Sequence, residues 1–252
     1  MKLLCCLLLL CVPFAAAQTA APKTSPVTTA AAPHTAWQIA HREQLLQDFP
    51  DLARYQAANA ALPPPAPGTN RVVFMGDSIT DIWGHGKKFF PGKPYINRGI
   101  SGQTTPQMLV RFRADVIALH PKVVVILAGT NDIAGNTGPS TPEMIEDNLT
   151  SMAQLAEFNH IRVVLASILP ATSYPWKSGI DPAQEIRAIN AWIHDYCDRT
   201  GAVYLDYYSA VVNPHGGMKK NLTLDGVHPN PAGFRVMAPL AEKAIAQALA
   251  VR

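Results

Sequence analysis

One serine in the chain has the surroundings of a catalytic nucleophile. Ser78 follows a short apolar run and lies in the segment GDSITD. A serine nucleophile needs a general base within hydrogen-bond reach, and that base needs a group that orients it. The loop sequence LDGVHPN supplies both, because Asp225 and His228 lie three residues apart. The pattern therefore predicts a Ser78–His228–Asp225 triad that performs nucleophilic acyl transfer.

Ser78 also has a purely structural interpretation. A serine followed three residues later by Asp81 resembles a capping box, in which the serine side chain accepts from a free backbone N–H at a helix start. Two further apolar runs are likewise followed by polar, glycine-rich turns, GISG and GTND. Three such turns at one edge of a sheet favour a nucleophile over a cap alone.

Acyl transfer also needs hydrogen-bond donors aimed at the oxyanion that develops on the substrate carbonyl. The candidates are the backbone N–H of Ser78, the backbone N–H of Gly102 and the side-chain amide of Asn131. A glycine has no side chain to block a close approach. Each residue alone could serve turn geometry only. Together, at one predicted edge, they predict an oxyanion hole.

The elements that must position these residues alternate along the chain. Short, β-branched apolar runs predict strands buried on both faces of a parallel sheet, at Val72–Met75, Val123–Ala128, Val163–Ile168 and Val203–Leu205, with a weaker fifth strand in PYINRG. Helical patterns occupy the intervals, at Pro106–Leu119, Thr141–Phe158, 181–199 and Pro231–Leu249. This order predicts an α/β fold with helices on both faces of a five-stranded parallel sheet.

The N-terminal region has the composition of a leader followed by a tether. Residues 1–17 combine Lys2, an apolar run and a final A-x-A pattern, which predicts a signal peptide cleaved after Ala17 and a secreted or periplasmic protein without stable membrane insertion. A lipoprotein anchor at Cys11 is disfavoured, because the preceding residue is a leucine. Residues 18–35 predict a flexible Ala/Thr/Pro-rich tether, and residues 36–70 a helical segment with a proline-rich linker.

Composition excludes several other classes of protein. The 252 residues carry a formal net charge of +3 without a stripe of Lys or Arg, so a nucleic-acid partner is not expected. Cleavage of the leader would leave Cys197 as the single cysteine, predicted to be a small core residue. The other histidines lack the spacing of metal ligands, so we expect neither a metal ion nor another cofactor.

Four segments resemble the GDSL, or SGNH, family of serine esterases and lipases: GDSITD, NRGISGQTT, VVILAGTNDI and LTLDGVHPNPAGF. The resemblance covers about residues 71–250 and implies a three-layer α/β/α, flavodoxin-like hydrolase domain at 71–252. It implies that Ser78 is nucleophile and oxyanion donor, that Gly102 and Asn131 complete the hole, and that Asp225 orients His228. The nearest type is the platelet-activating-factor acetylhydrolase catalytic subunit, which implies short acyl groups.

The rival α/β-hydrolase fold is disfavoured, since its nucleophile motif G-x-S-x-G has a glycine where Thr80 stands. Several functions fit the resemblance. The first is a secreted serine esterase for short-chain, acetyl-type esters, acting on a small ester or on an acylated glycan or lipid. Alternatives are a lysophospholipase or lipase-type acylhydrolase, a polysaccharide acetyl esterase, and a non-enzymatic glycan-binding module. Trp83 and Trp176 are candidates for the substrate pocket, although core packing also accounts for such residues, and Asp77 and Asp132 are interpreted as scaffold groups.

Overall fold

The computed structural model describes residues 36–84 and 89–250. The predicted signal peptide (1–17) and tether (18–35) lie outside the described residues. The described chain forms a five-stranded parallel sheet in the order β2-β1-β3-β4-β5. Its strands are β1 (Val72–Gly76), β2 (Tyr95–Gly99), β3 (Val123–Leu127), β4 (Arg162–Ala166) and β5 (Val203–Leu205). All five predicted strands are confirmed, including the weak one.

Helices connect and cover the strands. They are α1 (Ala36–Gln47), α2 (Ala53–Ala61), α3 (Ser78–Asp81), α4 (Thr105–Asp115), α5 (Thr130–Ile133), α6 (Pro142–Phe158), α7 (Ala183–Thr200), α8 (Tyr208–Val211) and α9 (Pro231–Ala250), with 3-10 turns at Ile117–Leu119 and Lys220–Leu222. The four long helices predicted after β2 are confirmed. A helix start at Ser78 agrees with α3, whereas α5 and α8 carry no sequence pattern, because four residues are too few to show a helical period.

The apolar core lies on the two faces of the sheet. Along β1, Val73 and Met75 pack on the face covered by α4, α6 and α7, while Val72 and Phe74 face the side covered by α9. The alternation follows from the strand geometry, in which successive side chains point to opposite faces. The result is the three-layer α/β/α arrangement with flavodoxin-like strand order, as predicted.

The strand order also determines where a ligand can bind. From β1 the chain crosses to β2 on one side, and β3 lies on the other side of β1. The carboxyl ends of β1 and β3 therefore flank a topological switch point, the usual position of a binding crevice in open α/β sheets. Ser78 follows β1 directly, and Asn131 follows β3.

An N-terminal arm, residues 36–61, contacts the β2–α4 loop, the end of β2 and the start of α4 next to this crevice. The Gln103 side-chain amide donates to the carbonyl oxygen of Pro50 at 2.7 Å, and Gln107 donates to that of Phe49 at 2.6 Å. The Tyr55 hydroxyl donates to the carbonyl oxygen of Gly99. These contacts fix a loop that carries part of the predicted site.

No helix within residues 36–84 and 89–250 combines the length and the apolar character that crossing a bilayer requires.

Candidate active site

Ser78 is the first residue of α3, which begins where β1 ends. The residue that caps this helix is Asp77, whose Oδ1 accepts from the Ile79 N–H at 2.9 Å. The capping box suggested by Ser78 and Asp81 is therefore not formed, because the cap lies one residue earlier. The Ser78 hydroxyl is left free to face His228.

Ser78, His228 and Asp225 form a continuous hydrogen-bonded series. Ser78 Oγ lies 2.9 Å from His228 Nε2, and His228 Nδ1 lies 2.7 Å from Asp225 Oδ2. The second carboxylate oxygen, Asp225 Oδ1, accepts from the backbone N–H groups of Val227 at 3.0 Å and His228 at 2.8 Å. The carboxylate therefore fixes both the loop that carries the histidine and the orientation of its ring.

The hydrogen bonds to Asp225 also determine its ionisation. Partial burial on its own raises the pKa of this carboxyl, but the bonds from the His228 N–H, the His228 ring and the Val227 N–H outweigh burial and lower the pKa below its ordinary value. Asp225 is thus ionised at neutral pH. An ionised acceptor at Nδ1 places the proton on that nitrogen, which leaves the lone pair of Nε2 facing the Ser78 hydroxyl.

The two predicted oxyanion donors outside the serine loop lie beside Ser78. Gly102 adopts φ +82°, in the left-handed region that favours glycine. The Asn131 side chain is only 2% exposed, and its Nδ2 donates to the carbonyl oxygen of Gln103 at 3.0 Å. These residues and the triad line one pocket of about 380 Å³, formed by Ser78, Ile82, Ser101, Gly102, Asn131, Asn136, Trp176, Leu224, Asp225 and His228.

A comparison of the whole domain with known protein families agrees with this geometry. The model of the GDSL-like lipase/acylhydrolase family matches residues 74–236, more than half of the chain. The chain belongs to the GDSL-like lipase/acylhydrolase family. Family membership makes it a relative of carboxylic ester hydrolases, as the four sequence segments predicted.

Individual relatives agree with the family match. A GDSL-like lipase from Bacteroides thetaiotaomicron shares 44% identity, with a TM-score of 0.77 over 80% of this chain and all of the other. Esterase TesA of Pseudomonas aeruginosa is 33% identical over 139 residues, which are 53% of this chain and 60% of the esterase, less than two thirds of its length. An acetyl-xylooligosaccharide esterase mutant from Geobacillus, at 22% identity and a TM-score of 0.57 (70% and 94% coverage), shares the fold.

The two tryptophans predicted for the substrate pocket of this GDSL-family chain lie in different places. Trp176 lines the pocket of Ser78, stacks on Tyr174 with ring centroids 5.1 Å apart, and lies 5.9 Å from the His228 ring. Trp83 does not line that pocket. Its indole stacks on Phe234 at 4.9 Å within an aromatic cluster on the α9 side of the sheet, which leaves it only 8% exposed.

Trp83 instead contributes to a second cavity, the apolar groove, of about 630 Å³. Its lining consists of Ile82, Trp83, Gly84, Phe89, Phe90, Pro91, Leu224, Pro229, Pro231, Phe234, Arg235 and Ala238. The apolar groove and the pocket of Ser78 share Ile82 and Leu224, so the two cavities adjoin. Leu224 is a large apolar side chain with 67% exposure at this junction.

Asn136 was not predicted as a site residue, yet it contacts two of the three oxyanion candidates, Gly102 and Asn131. Its Nδ2 donates to Asn131 Oδ1 at 2.9 Å and to the Gly102 carbonyl oxygen at 3.1 Å. Its Oδ1 accepts from Trp176 Nε1 at 3.1 Å. In the sequence this asparagine lies in a glycine-rich turn, where asparagine is common for backbone reasons alone. No sequence signal distinguished it.

The two acidic residues beside the signature positions accept hydrogen bonds from backbone N–H groups in the first turns of two helices, Asp77 at α3 and Asp132 at α4. Asp132 accepts from the Thr105 N–H at 3.0 Å and from the Thr105 hydroxyl at 2.6 Å, which fixes the start of α4. Burial raises the pKa of Asp77 and that of Asp132 to about 6, against the hydrogen bonds that each accepts. The Asp77 carboxyl is held by the Ile79 N–H, and the Asp132 carboxyl by the Thr105 N–H.

The residues that the structure describes include neither a cluster of metal-ligating side chains nor a reactive cysteine. Within the described ranges, no group of three or more His, Cys, Asp or Glu side chains is placed to hold a metal ion. Cys197 is buried, and burial raises the pKa of its thiol to about 12, which disfavours the reactive thiolate. It packs in the core as the sequence predicted.

Proposed function

We propose that the chain is a serine esterase that hydrolyses short-chain carboxylic esters, of which acetyl esters are the first candidates. The observation that carries the proposal is the series Ser78–His228–Asp225, with contacts of 2.9 and 2.7 Å at the switch point of the sheet. A serine hydroxyl has little nucleophilicity unless a base removes its proton during attack. His228 Nε2 is at hydrogen-bond distance for that transfer.

The reaction proceeds through an acyl-enzyme in two halves. Ser78 Oγ forms a bond to the ester carbonyl carbon while its proton passes to His228 Nε2. The carbon–oxygen bond to the alcohol then breaks, and His228 returns the proton to the departing oxygen. A water molecule next attacks the acyl-enzyme, His228 takes its proton, and the carboxylic acid leaves as Ser78 regains its hydrogen.

The oxyanion of each tetrahedral intermediate is bound by the N–H groups of Ser78 and Gly102 and by the amide of Asn131. These donors are fixed before substrate arrives, so little reorganisation is needed as negative charge develops. The N–H of Ser78 belongs to the first residue of a helix, where backbone donors have no partner within the helix.

The two cavities indicate which part of the ester goes where. The leaving oxygen must lie near His228 to receive its proton. The apolar groove is lined by Leu224, Pro229 and Pro231, which flank His228 in the chain, and it includes neither Gly102 nor Asn131. We therefore assign the alcohol part of the ester to the apolar groove and the acyl part to the smaller pocket beside Trp176. This assignment favours a short acyl group on an apolar alcohol.

Two isomeric esters test this assignment without a difference in overall hydrophobicity. Octyl acetate is expected to have a kcat/KM at least about tenfold above that of ethyl octanoate, since each buried methylene contributes about 0.8 kcal/mol and two of them exceed a tenfold effect. Acid release in a pH-stat measures both rates. If the protein hydrolyses neither of these esters and does not hydrolyse p-nitrophenyl acetate, the esterase proposal is refuted.

Variants on α9 provide the matched comparison. Ala238→Phe narrows the apolar groove and should remove the preference for octyl acetate, whereas Ala246→Phe, at an exposed position of the same helix, should retain it. A preference for ethyl octanoate in the wild-type protein would place the acyl chain in the groove. That result would favour the lipase-type alternative over a short-chain esterase.

We also propose that the protein is exported. The composition of residues 1–17 supports this, with Lys2, an apolar run and the A-x-A pattern before Gln18. N-terminal sequencing of the protein recovered outside the cytoplasm is expected to begin at Gln18. Recovery with Met1 retained in the cytoplasmic fraction would contradict export.

A further inference from the structure

Asn136 joins the two oxyanion donors that lie outside the serine loop. One nitrogen, Asn136 Nδ2, bonds to the side chain of Asn131 and to the backbone of Gly102, at 2.9 and 3.1 Å. We propose that Asn136 is a positioning residue that holds the oxyanion hole in its active arrangement, and that the indole N–H of Trp176 sets the orientation of Asn136. The inference rests on the proposed esterase function.

The orientation follows from the donor and acceptor types along the series. An indole N–H can only donate a hydrogen bond. Trp176 Nε1, at 3.1 Å, therefore requires that Asn136 present its oxygen on that side and its NH₂ group toward Asn131. The Asn136 NH₂ group in turn requires that Asn131 present its own oxygen there. The NH₂ group of Asn131 is then directed to the other side, where it contacts the carbonyl oxygen of Gln103 and, at 3.5 Å, Asp77 Oδ2.

The hydrogens of Asn131 Nδ2 are consistent with this role. One N–H has a partner at a good distance, the carbonyl oxygen of Gln103 at 3.0 Å. The other contact of the nitrogen, with Asp77 Oδ2, is 3.5 Å long, at the outer limit of a hydrogen bond. The second N–H therefore has only this long contact, which an oxyanion bound in the pocket would replace. A flipped amide would present its oxygen to the developing negative charge and would oppose the reaction.

Asn136 also positions the second oxyanion donor, the backbone N–H of Gly102, through a contact with that residue. Asn136 holds the carbonyl oxygen of Gly102, whose φ of +82° turns the loop at this point. On the other side of the loop, the neighbouring Gln103 is held by the N-terminal arm and by Arg111. The Gly102 segment is thus fixed from two sides, and Asn136 provides the fixation that faces the pocket.

Two tryptophans, each stacked on a tyrosine, provide a test variant and its matched control. Trp176 stacks on Tyr174 at 5.1 Å, and Trp192 stacks on Tyr196 at 5.1 Å on α7, away from the site. Trp176→Phe keeps an aromatic ring but removes the N–H that orients Asn136. We expect it to lower kcat for p-nitrophenyl acetate by about tenfold with KM unchanged within about twofold, while Trp192→Phe leaves both constants unchanged.

Asn136→Ala should have the larger effect, since it releases both donors. We expect a fall in kcat of about 100-fold, the size measured for a lost oxyanion donor in other enzymes. Asn131→Ala should give a similar fall. The fall in kcat of the double variant Asn131→Ala/Asn136→Ala should be smaller than the product of the two single falls by a factor of at least about ten, because Asn136 acts partly through Asn131.

The outcomes separate this inference from the esterase proposal. If the wild-type protein and Trp192→Phe turn over the ester, and Trp176→Phe matches them, the positioning role is wrong and the esterase function stands. Losses that multiply in the double variant, or that appear only in KM, would also overturn the positioning role. An Asn136→Ala protein that does not fold leaves Trp176→Phe as the deciding variant. No turnover by the wild-type protein would overturn both proposals.

Discussion

Replacing Ser78 with alanine is expected to lower kcat for p-nitrophenyl acetate by at least about 10,000-fold, the scale of loss when a serine nucleophile is removed from a triad. The substitution removes the atom that would bond to the acyl group. The fold should be unaffected, because Asp77 and not Ser78 caps α3. Steady-state kinetics measure the loss, and circular dichroism with a thermal melt establishes that the variant is folded.

A second serine variant serves as the control for this experiment. Ser151 lies on α6, where its hydroxyl donates to the Asp147 carbonyl oxygen at 2.8 Å, and it has no part in the pocket. Ser151→Ala should retain the wild-type kcat and KM. A folded Ser78→Ala protein with more than a few per cent of wild-type activity would contradict the assignment of the nucleophile.

Replacing Asp225 with asparagine is expected to lower kcat by about 10,000-fold, as for the same change in other triads. The asparagine oxygen can still accept from the N–H groups of Val227 and His228, so the loop should keep its shape. The amide nitrogen then faces His228 Nδ1 and can only donate to it. The histidine proton moves to Nε2, which can no longer accept the proton of Ser78. Turnover of p-nitrophenyl acetate, with a thermal melt, measures the effect.

Asp206 offers the matched control, since its Oδ1 also accepts a backbone N–H, that of Ser209 at 2.9 Å, in a connecting loop. Asp206→Asn should leave kcat unchanged. An Asp225→Asn protein with near wild-type kcat at neutral pH would show that the carboxylate is not needed to orient His228. Because the pKa of Asp225 is lowered, its carboxyl stays ionised near neutral pH. Protonation of Asp225 therefore does not limit the activity of the wild-type protein there.

The parts of the fold that could be predicted are those with a strong local pattern. The nearly continuous apolar runs at β1, β3 and β4, rich in β-branched residues, predicted the parallel sheet, because such runs are typical of strands covered on both faces. The three residues proposed as a triad could also be selected from the sequence, since serine, histidine and aspartate at loop positions are informative by type, and the structure brings them within hydrogen-bond distance of one another. Their assembly then followed from the rule that the carboxyl ends of parallel strands meet at one edge.

The parts that could not be predicted depend on contacts between distant segments. Asn136 acts through Asn131, Gly102 and Trp176, and nothing in its own turn indicates those partners. Trp83 was a candidate for the substrate pocket with core packing as the alternative, and its position depends on Phe234 of α9, against which its indole stacks at the edge of the apolar groove rather than in the pocket of Ser78. Ser78 does not cap α3, because the residue before it, Asp77, accepts the hydrogen bond from the Ile79 N–H at the start of that helix.

The central claim is that Ser78 is the nucleophile, activated by His228. A fluorophosphonate that reacts only with activated serines tests it most directly, with the labelled position mapped by mass spectrometry of peptides. We expect one adduct, on Ser78, with esterase activity lost in proportion to labelling, and no adduct in a folded His228→Ala protein. Full activity in protein whose Ser78 is completely labelled, or complete inhibition with Ser78 unmodified, would contradict it.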